Sequence, residues 1–231
     1  MTKHILLTGA SSGIGQQLAI KLALQGHNLS LCGRQQNKLN HTLEQLDSRV
    51  KIYSENFCLS EDEKLAKFVT HAQNQLGEVD ILINCAGLNS SRAPASEPDW
   101  QQLQHMLEIN YLAPLRLINA VLPNMREKAS GTILNILSTT CLFANPGTSQ
   151  YSASKAALDM HTKVLRKELH GSGIKVLSLY PGGVNTDFRA ADKQEYLQAE
   201  DIAEAALSML FTAKNCHIHE LVVRPEIELN F

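Results

Sequence analysis

The chain has 231 residues, of which 44% are hydrophobic and 19% are charged. This composition is typical of a globular protein that can bury a sizeable core. The formal net charge of −2 at pH 7, with Lys and Arg scattered along the chain, gives no electrostatic basis for binding nucleic acid or an anionic membrane surface.

Short apolar runs alternate with longer amphipathic ones along the whole chain. The short runs predict seven strands, at residues 4–9, 28–33, 50–55, 79–84, 131–137, 174–180 and 219–224. Because nearly every position in them is apolar, we expect both faces of these strands to be buried, as in a parallel sheet.

The segments between the strands have helical patterns with recognisable ends. They predict helices over residues 13–26, 60–77, 96–122 and 150–169, and a last one from about Ala199. Ser60 and Ser96 are the expected N-cap residues of two of them, and Pro114 should kink its helix or remove one hydrogen bond. No linker or repeat divides the chain. We therefore expect one α/β domain over residues 1–231, a doubly wound (Rossmann) parallel sheet of about seven strands with helices on both faces.

The first turn of the predicted sheet is rich in glycine. Residues 8–15 read TGASSGIG and lie between the first strand and the first helix. Gly9 permits a tight turn, and Gly13 and Gly15 let the backbone approach a pyrophosphate at the helix N-terminus. A plain glycine-rich turn is the alternative, but a strand before and a helix after favour a dinucleotide cofactor.

The residues after the second strand indicate which dinucleotide is bound. An NAD site usually has a carboxylate about 20 residues after the glycines, which binds the ribose 2′-hydroxyl. Here the first acidic residue of the chain is Glu44, and Arg34 and Lys38 stand where a 2′-phosphate would lie. A guanidinium can bind that phosphate through two hydrogen bonds. NADP(H) is therefore the predicted cofactor, the alternative being that Arg34 is an ordinary solvated residue.

Six motifs then occur in order along the chain. They are TGASSGIG at 8–15, NCAG at 84–87, Asn110 within EINYLAP, Ser138 after the fifth strand, YSASK at 151–155 and PGGVNTD at 181–187. Together they resemble the short-chain dehydrogenase/reductase family over essentially the whole chain.

The resemblance implies a catalytic set of Asn110, Ser138, Tyr151 and Lys155. In that set Tyr151 is the general acid or base, Lys155 binds the nicotinamide ribose and lowers the Tyr pKa, Ser138 polarises the substrate carbonyl, and Asn110 holds a water. Residues i and i+4 share one helix face, and a cation within ~4–6 Å lowers a phenol pKa by about one to three units. A loop cap for Ser138 and a structural hydrogen-bonded role for Asn110 are the alternatives.

The resemblance also implies the residues of the cofactor site. These are Gly9, Ser11, Ser12, Gly13, Ile14, Gly15, Arg34, Lys38, Leu59, Asn84, Ala86, Gly87, Tyr151, Lys155, Pro181, Gly182, Val184 and Thr186. Two positions depart from the family pattern, since Cys85 stands where Asn is usual and Cys58 where Asp usually binds the adenine amino group. The second departure removes the acceptor for that amino group, so we expect weaker binding of the adenine end.

For the substrate, the expected wall is mostly apolar with one cation. It consists of Ser90, Arg92, Cys141, Leu142, Phe143 and Phe188. Only residues 183–198 separate Gly182 from the last predicted helix, which leaves little material for a lid. We therefore expect an open pocket for bulky or varied ketones and aldehydes. No metal site is predicted, because His217 and His219 have no visible third ligand.

The predicted function is an NADP(H)-dependent oxidoreductase that transfers hydride between nicotinamide and a ketone, an aldehyde or a secondary alcohol. A 3-oxoacyl thioester reductase and a non-catalytic NADP(H)-binding regulator are the alternatives. The family implies a homodimer or homotetramer that pairs through the helices near 97–125 and 150–170. Five scattered cysteines without a CxxC spacing, and an N-terminal apolar stretch too short for a signal peptide, lead us to expect a cytoplasmic protein without a membrane segment.

Overall fold

The strands of the computed structural model follow the predicted order, and residues 1–188, 193–213 and 215–229 are described. The strands are β1 (His4–Thr8), β2 (Asn28–Gly33), β3 (Ile52–Asn56), β4 (Ile81–Asn84), β5 (Gly131–Ile136), β6 (Ile174–Pro181), β7 (Val184–Asn185), β8 (Leu197–Gln198) and β9 (Glu220–Val223). Seven of them form one sheet in the order β3-β2-β1-β4-β5-β6-β9, with every neighbouring pair parallel. The predicted seven-stranded parallel sheet is confirmed, and β7 and β8 form a separate short pair.

Helices cover both faces of this sheet. They are α1 (Gly13–Leu24), α2 (Gln36–Leu43), α3 (Asp62–Leu76), α4 (Trp100–Leu107), α5 (Ala113–Glu127), α6 (Ser149–Glu168) and α7 (Ala199–Leu210). Side chains alternate between the faces along each strand. In β1, Ile5 and Leu7 belong to an apolar cluster with α1 and α7, whereas Leu6 belongs to a cluster with α3 and α5. In the described ranges, no helix combines the length and the hydropathy needed to cross a membrane.

Several helix ends differ from the predicted ones. The N-cap residue of α3 is Glu61 rather than Ser60, and Asp99 rather than Ser96 caps α4, where its carboxylate accepts a hydrogen bond of 3.1 Å from Gln102 N–H. The short helix α2 was not predicted, because its polar sequence QNKLNHTL buries only Leu39 and Thr42. A helix with so few buried positions gives a weak periodic signal.

The predicted long helix is interrupted near Pro114, where a π-helical turn joins two α-helices. Residues Glu108–Leu112 form a π-helical turn between α4 and α5, and Pro114 lies in the first turn of α5. Proline is tolerated there because the first N–H groups of a helix have no partner within it. Asn110 lies inside the π-helical turn and is fully buried.

The strand order determines where a ligand can enter. From β1 the chain moves outward through β2 and β3, then returns to β4 on the other side of β1 and continues to β9. At such a switch point the loops after neighbouring strands diverge and leave a crevice at the carboxyl ends of the strands. The crevice of this sheet therefore lies between the loop after β1 and the loop after β4.

At the amino end of β1, a buried histidine links three segments. The ring of His4 contacts Ser30 Oγ at 2.8 Å through Nε2 and the Gly77 carbonyl at 2.6 Å through Nδ1, and it is only 4% exposed. Because a carbonyl oxygen only accepts hydrogen bonds, Nδ1 carries the hydrogen and a neutral ring satisfies both contacts. Burial lowers the pKa of His4 from its ordinary value of 6.5.

This histidine predicts an acid-sensitive stability. As the pH falls below about 6.5, the unfolded chain takes up a proton that the folded His4 does not, so the free energy of unfolding decreases. We expect His4→Gln to be less stable than the wild type near neutral pH but to lose less stability on acidification. Urea unfolding at several pH values between about 5 and 7.5 measures both slopes. Equal slopes for the two proteins would contradict the prediction.

Candidate active site

A cleft of about 1250 Å³ opens at the carboxyl ends of the strands. The glycine turn after β1 forms its floor, where a Cβ on Gly9 would lie 2.9 Å from the backbone of Ala86 and one on Gly15 would lie 2.2 Å from Gly9 O. Both positions therefore exclude every larger residue. The hydroxyl of Thr8 accepts hydrogen bonds of 3.1 Å from Cys85 N–H and from Ala86 N–H, which joins the two loops of the crevice.

The N-terminus of α1 lies at this cleft, which Gly13, Ile14 and Gly15 line. Ser12 occupies the N-cap position and lines the cleft. Within the described residues, its hydroxyl makes no capping hydrogen bond to the helix. The first turn of α1 contains no acidic residue. Free N–H groups and the positive end of the helix dipole are what a pyrophosphate requires. The residues present therefore fit a dinucleotide.

Two cations lie at the far end of the cleft, after β2. Arg34 is exposed and Lys38 is partly buried, and both line the cleft. Lys38 Nζ lies 2.5 Å from Asp187 Oδ2, a residue of the PGGVNTD motif that also lines the cleft. This ion pair spans the cleft between the segment after β2 and the segment after β6.

The predicted proton donor and its cation lie together on α6. Tyr151 is 8% exposed and Lys155 is 3% exposed, and both line the cleft. The Tyr151 ring lies 6.0 Å from the ring of Phe188, measured between centroids. Lys155 Nζ donates a hydrogen bond of 2.8 Å to Ile136 O, and a Cβ on Gly87 would lie 3.5 Å from the same nitrogen. The ammonium group is thus held between the end of β5 and the NCAG loop.

Burial determines the charge state of the groups around this lysine. Loss of solvent lowers the pKa of Lys155 from its ordinary value. It raises the pKa of the nearby Cys85 thiol to about 12 and that of Cys141 to about 11. A thiol with such a pKa is protonated near neutral pH and is a poor nucleophile. Neither Cys85 nor Cys141 therefore supplies a thiolate beside Lys155.

Ser138 lies directly after the end of β5 and lines the cleft. Its hydroxyl accepts a hydrogen bond of 3.2 Å from Thr140 N–H, so Ser138 caps the short helical turn Thr139–Cys141. The cap uses an oxygen lone pair and not the hydroxyl hydrogen. Ser138 therefore does cap this loop, but the cap leaves the hydroxyl hydrogen free to donate to a ligand, so the catalytic role of Ser138 stays a prediction.

Asn110 does not line the cleft but supports it from behind. Its Oδ1 accepts a hydrogen bond of 2.7 Å from Leu88 N–H, and its Nδ2 donates to Leu88 O at 2.8 Å and to Ser154 Oγ at 2.9 Å. Ser154 in turn donates to Tyr151 O at 2.8 Å. Asn110 thus ties the loop after β4 to the helix that carries Tyr151. Its role in holding a water stays a prediction.

Most of the other predicted site residues also line the cleft. They are Gly9, Ser11, Gly13, Ile14, Gly15, Leu59, Ala86, Gly87, Pro181, Gly182, Val184 and Thr186 at the predicted cofactor site, and Ser90, Arg92 and Phe188 at the predicted substrate site. Of the segment 183–198, residues 189–192 lie outside the described residues.

Besides Asn110, four predicted positions are not part of the lining. Asn84 is buried at the end of β4, where its Nδ2 donates to Asn135 Oδ1 at 2.8 Å. Cys141 packs against an apolar cluster behind the cleft, Leu142 is exposed, and the Phe143 ring contacts Arg224 at 4.8 Å. The lining does not include these last three, although Thr140 before them and Asn145 after them do line the cleft, so their place in the substrate wall stays a prediction.

The sequence reasoning missed one part of the cleft entirely. Ile227, Glu228 and Leu229, which follow β9 in the chain, line it. Tyr196, just before β8, lines it as well. An apolar–charged–apolar triplet is too short to indicate a structure by periodicity, and PEIEL matches no motif, so no signal in the sequence identified the segment.

Comparisons with known proteins agree with this geometry. A family model described as short chain dehydrogenase matches residues 3–197. An uncharacterized oxidoreductase of Staphylococcus saprophyticus is 36% identical, and the match covers 96% of this chain and 97% of that one.

Two solved structures are similar over nearly the full length. An alcohol dehydrogenase from the archaeon Thermococcus sibiricus, complexed with 5-hydroxy-NADP, has a TM-score of 0.90 at 25% identity, with 99% of each chain covered. A metagenomic short-chain oxidoreductase in complex with NADP has a TM-score of 0.85 at 27% identity, with 97% of this chain and 98% of that one covered. The chain therefore belongs to the short-chain dehydrogenase family and is an oxidoreductase with a nucleotide-binding fold.

Proposed function

We propose that this protein is an NADP(H)-dependent oxidoreductase that reduces ketones and aldehydes or oxidises secondary alcohols. The observation that carries the proposal is the convergence of Tyr151, Lys155 and Ser138 on the cleft that begins at the open N-terminus of α1. A non-catalytic nucleotide-binding regulator would need the helix N-terminus but not the three side chains.

The glycine turn and α1 are proposed to bind the pyrophosphate, and Arg34 and Lys38 the 2′-phosphate. The first 43 residues contain no carboxylate that would repel that phosphate, and Lys38 would exchange its ion pair with the Asp187 carboxylate for the phosphate. The similar structures with bound NADP or 5-hydroxy-NADP support this choice of cofactor. When bound, the nicotinamide supplies or accepts the hydride.

The protein's own part is to orient the carbonyl and to transfer a proton. Ser138 donates a hydrogen bond to the carbonyl oxygen, and the Tyr151 hydroxyl passes its proton to that oxygen as negative charge develops there. The Lys155 ammonium stabilises the phenolate that remains. Asn110 acts at a distance, because its three hydrogen bonds fix the loop after β4 and the helix that carries Tyr151.

We place the proposed interface between identical subunits on α4, α5 and α6. Four large apolar side chains are exposed on α4, on the π-helical turn that joins it to α5 and on α6, namely Trp100 at 70%, Leu112 at 38%, Met160 at 61% and Val164 at 48%. Apolar groups concentrated on neighbouring helices are typical of a surface that a partner covers. A homodimer or homotetramer through these helices is therefore the proposed assembly.

The proton-transfer role predicts that Tyr151→Phe abolishes turnover but not cofactor binding. Loss of a general acid lowers kcat by about 10²–10⁴-fold. Oxidation of NADPH with a panel of carbonyl compounds, followed at the nicotinamide absorbance, measures kcat, and fluorescence titration measures the Kd for NADPH. Tyr196→Phe, at another tyrosine of the cleft, is the matched control and should keep its kcat. Unchanged kcat in Tyr151→Phe contradicts the mechanism, and tight NADPH binding without turnover by the wild type favours the regulator.

The cofactor preference predicts a selective effect of Arg34→Ala. Hydrogen bonds to charged groups contribute about 1.5–3 kcal/mol, so the Kd for NADPH should rise roughly 10–100-fold, whereas the Kd for NADH, which lacks the 2′-phosphate, should not change. Arg92→Ala removes a cation from the other end of the cleft and should leave both Kd values unchanged. An equal rise for the two cofactors would place Arg34 away from the 2′-phosphate.

The proposed interface predicts that the double change Met160→Glu and Val164→Glu produces smaller particles. Two carboxylates in an apolar interface lose solvation without gaining partners. Sedimentation velocity measures the particle mass. Leu24→Glu is the control, because Leu24 on α1 is 63% exposed, close to the 61% of Met160. This variant should keep the wild-type mass. A wild-type mass in the double variant would contradict an interface at these two residues.

A further inference from the structure

The carboxylate of Glu228 fills the space beside the turn that follows β6. Its Oε1 accepts a hydrogen bond of 2.8 Å from Gly183 N–H. A Cβ on Gly182 would lie 2.5 Å from Oε2, and a Cβ on Gly183 would lie 3.0 Å from Oε1. The two glycines thus leave room for the carboxylate, and a charged acceptor makes the hydrogen bond stronger than a neutral one would.

The same carboxylate is also bound from its own segment. Arg224 Nε donates a hydrogen bond of 3.3 Å to Glu228 Oε2, and the Arg224 guanidinium lies 4.8 Å from the centroid of the Phe143 ring. The side chains of Arg224 and Glu228 are only 13% and 20% exposed, so solvent screens the pair less than a surface ion pair. The segment 224–229 therefore connects the loop after Ser138 with the turn after β6, two loops that border the cleft.

Two large apolar residues flank Glu228 in this segment. Ile227 and Leu229 line the cleft and are 52% and 79% exposed. Phe188 lines the same cleft beside the Tyr151 ring and is 46% exposed. Apolar surface left open in a cleft gains free energy when an apolar ligand covers it.

We propose that the segment 224–229 is a wall of the substrate site, with Glu228 as the residue that positions it and Ile227 and Leu229 as the residues that contact substrate. The inference rests on the proposed carbonyl chemistry and adds a substrate class to it. The preferred carbonyl compounds carry an apolar chain that reaches from the carbonyl beside Tyr151 to this wall.

The anchoring is tested without any turnover by amide hydrogen exchange. Glu228→Gln keeps the shape of the side chain but replaces the charged acceptor with a neutral one, so exchange at Gly183 and in residues 226–229 should become about 10-fold faster. Glu226→Gln is the matched control, because Glu226 is exposed, lies in the same segment and does not line the cleft. Wild-type exchange rates in Glu228→Gln would overturn the anchoring role.

The contact with substrate is tested by the double change Ile227→Ser and Leu229→Ser. Both side chains are largely exposed, so the variant should fold. For a series of straight-chain methyl ketones, wild-type kcat/KM should rise about fourfold for each CH₂ that reaches the wall, and the rise should disappear in the variant, with the Kd for NADPH unchanged. Equal dependence on chain length in the two proteins would overturn the proposal.

Failure of the proposed function gives a different experimental result from failure of the proposed wall. If the wild type turns over no carbonyl compound, the carbonyl chemistry is wrong. The wall is then judged by calorimetric titration of the same ketones into the protein saturated with NADP⁺. A Kd that falls with chain length only in the wild type supports the wall, and identical Kd values in the wild type and the double variant refute it.

Discussion

The hydroxyl of Thr8, which accepts hydrogen bonds from the N–H groups of Cys85 and Ala86, joins the two halves of the sheet where the cleft begins. It brings the end of β1 so close to the end of β4 that Gly9 has no room for a Cβ beside Ala86. These two hydrogen bonds hold the glycine turn beside the NCAG loop. The positions of the helix N-terminus and of Lys155 beside Gly87 both follow from this contact.

The reactive groups come from separate elements that are linked behind the cleft. Ser138 follows β5, Tyr151 and Lys155 lie on α6, and the Lys155 ammonium reaches back to the carbonyl of Ile136 in β5. Asn110 joins α6 to the loop after β4. Lys155 and Asn110 are therefore held by backbone contacts from other elements, which is how a site keeps its geometry without bound ligand.

The sequence predicts much of this fold because buried parallel strands and glycine turns have strong local signals. The seven apolar runs correspond to the seven strands of the sheet, and most of the motif residues line one cleft. The missed parts have no such signal. The polar helix α2 buries only Leu39 and Thr42, and the segment 224–229 is located by contacts with Gly183 and Phe143, which are distant in sequence. Such contacts leave no local pattern in the chain.

The π-helical turn at Glu108–Leu112 has a consequence for how this chain tolerates changes in length. A π turn contains one residue more than an α-helical turn, and each residue rotates a helix by about 100°. Removing a single residue from the turn would restore regular winding and rotate α4 relative to α5 by that angle. Either the amide of Asn110 or the buried face of α4, with Met106, would then lose its contacts. Insertions and deletions should therefore accumulate in the surface connections and be excluded from this helix.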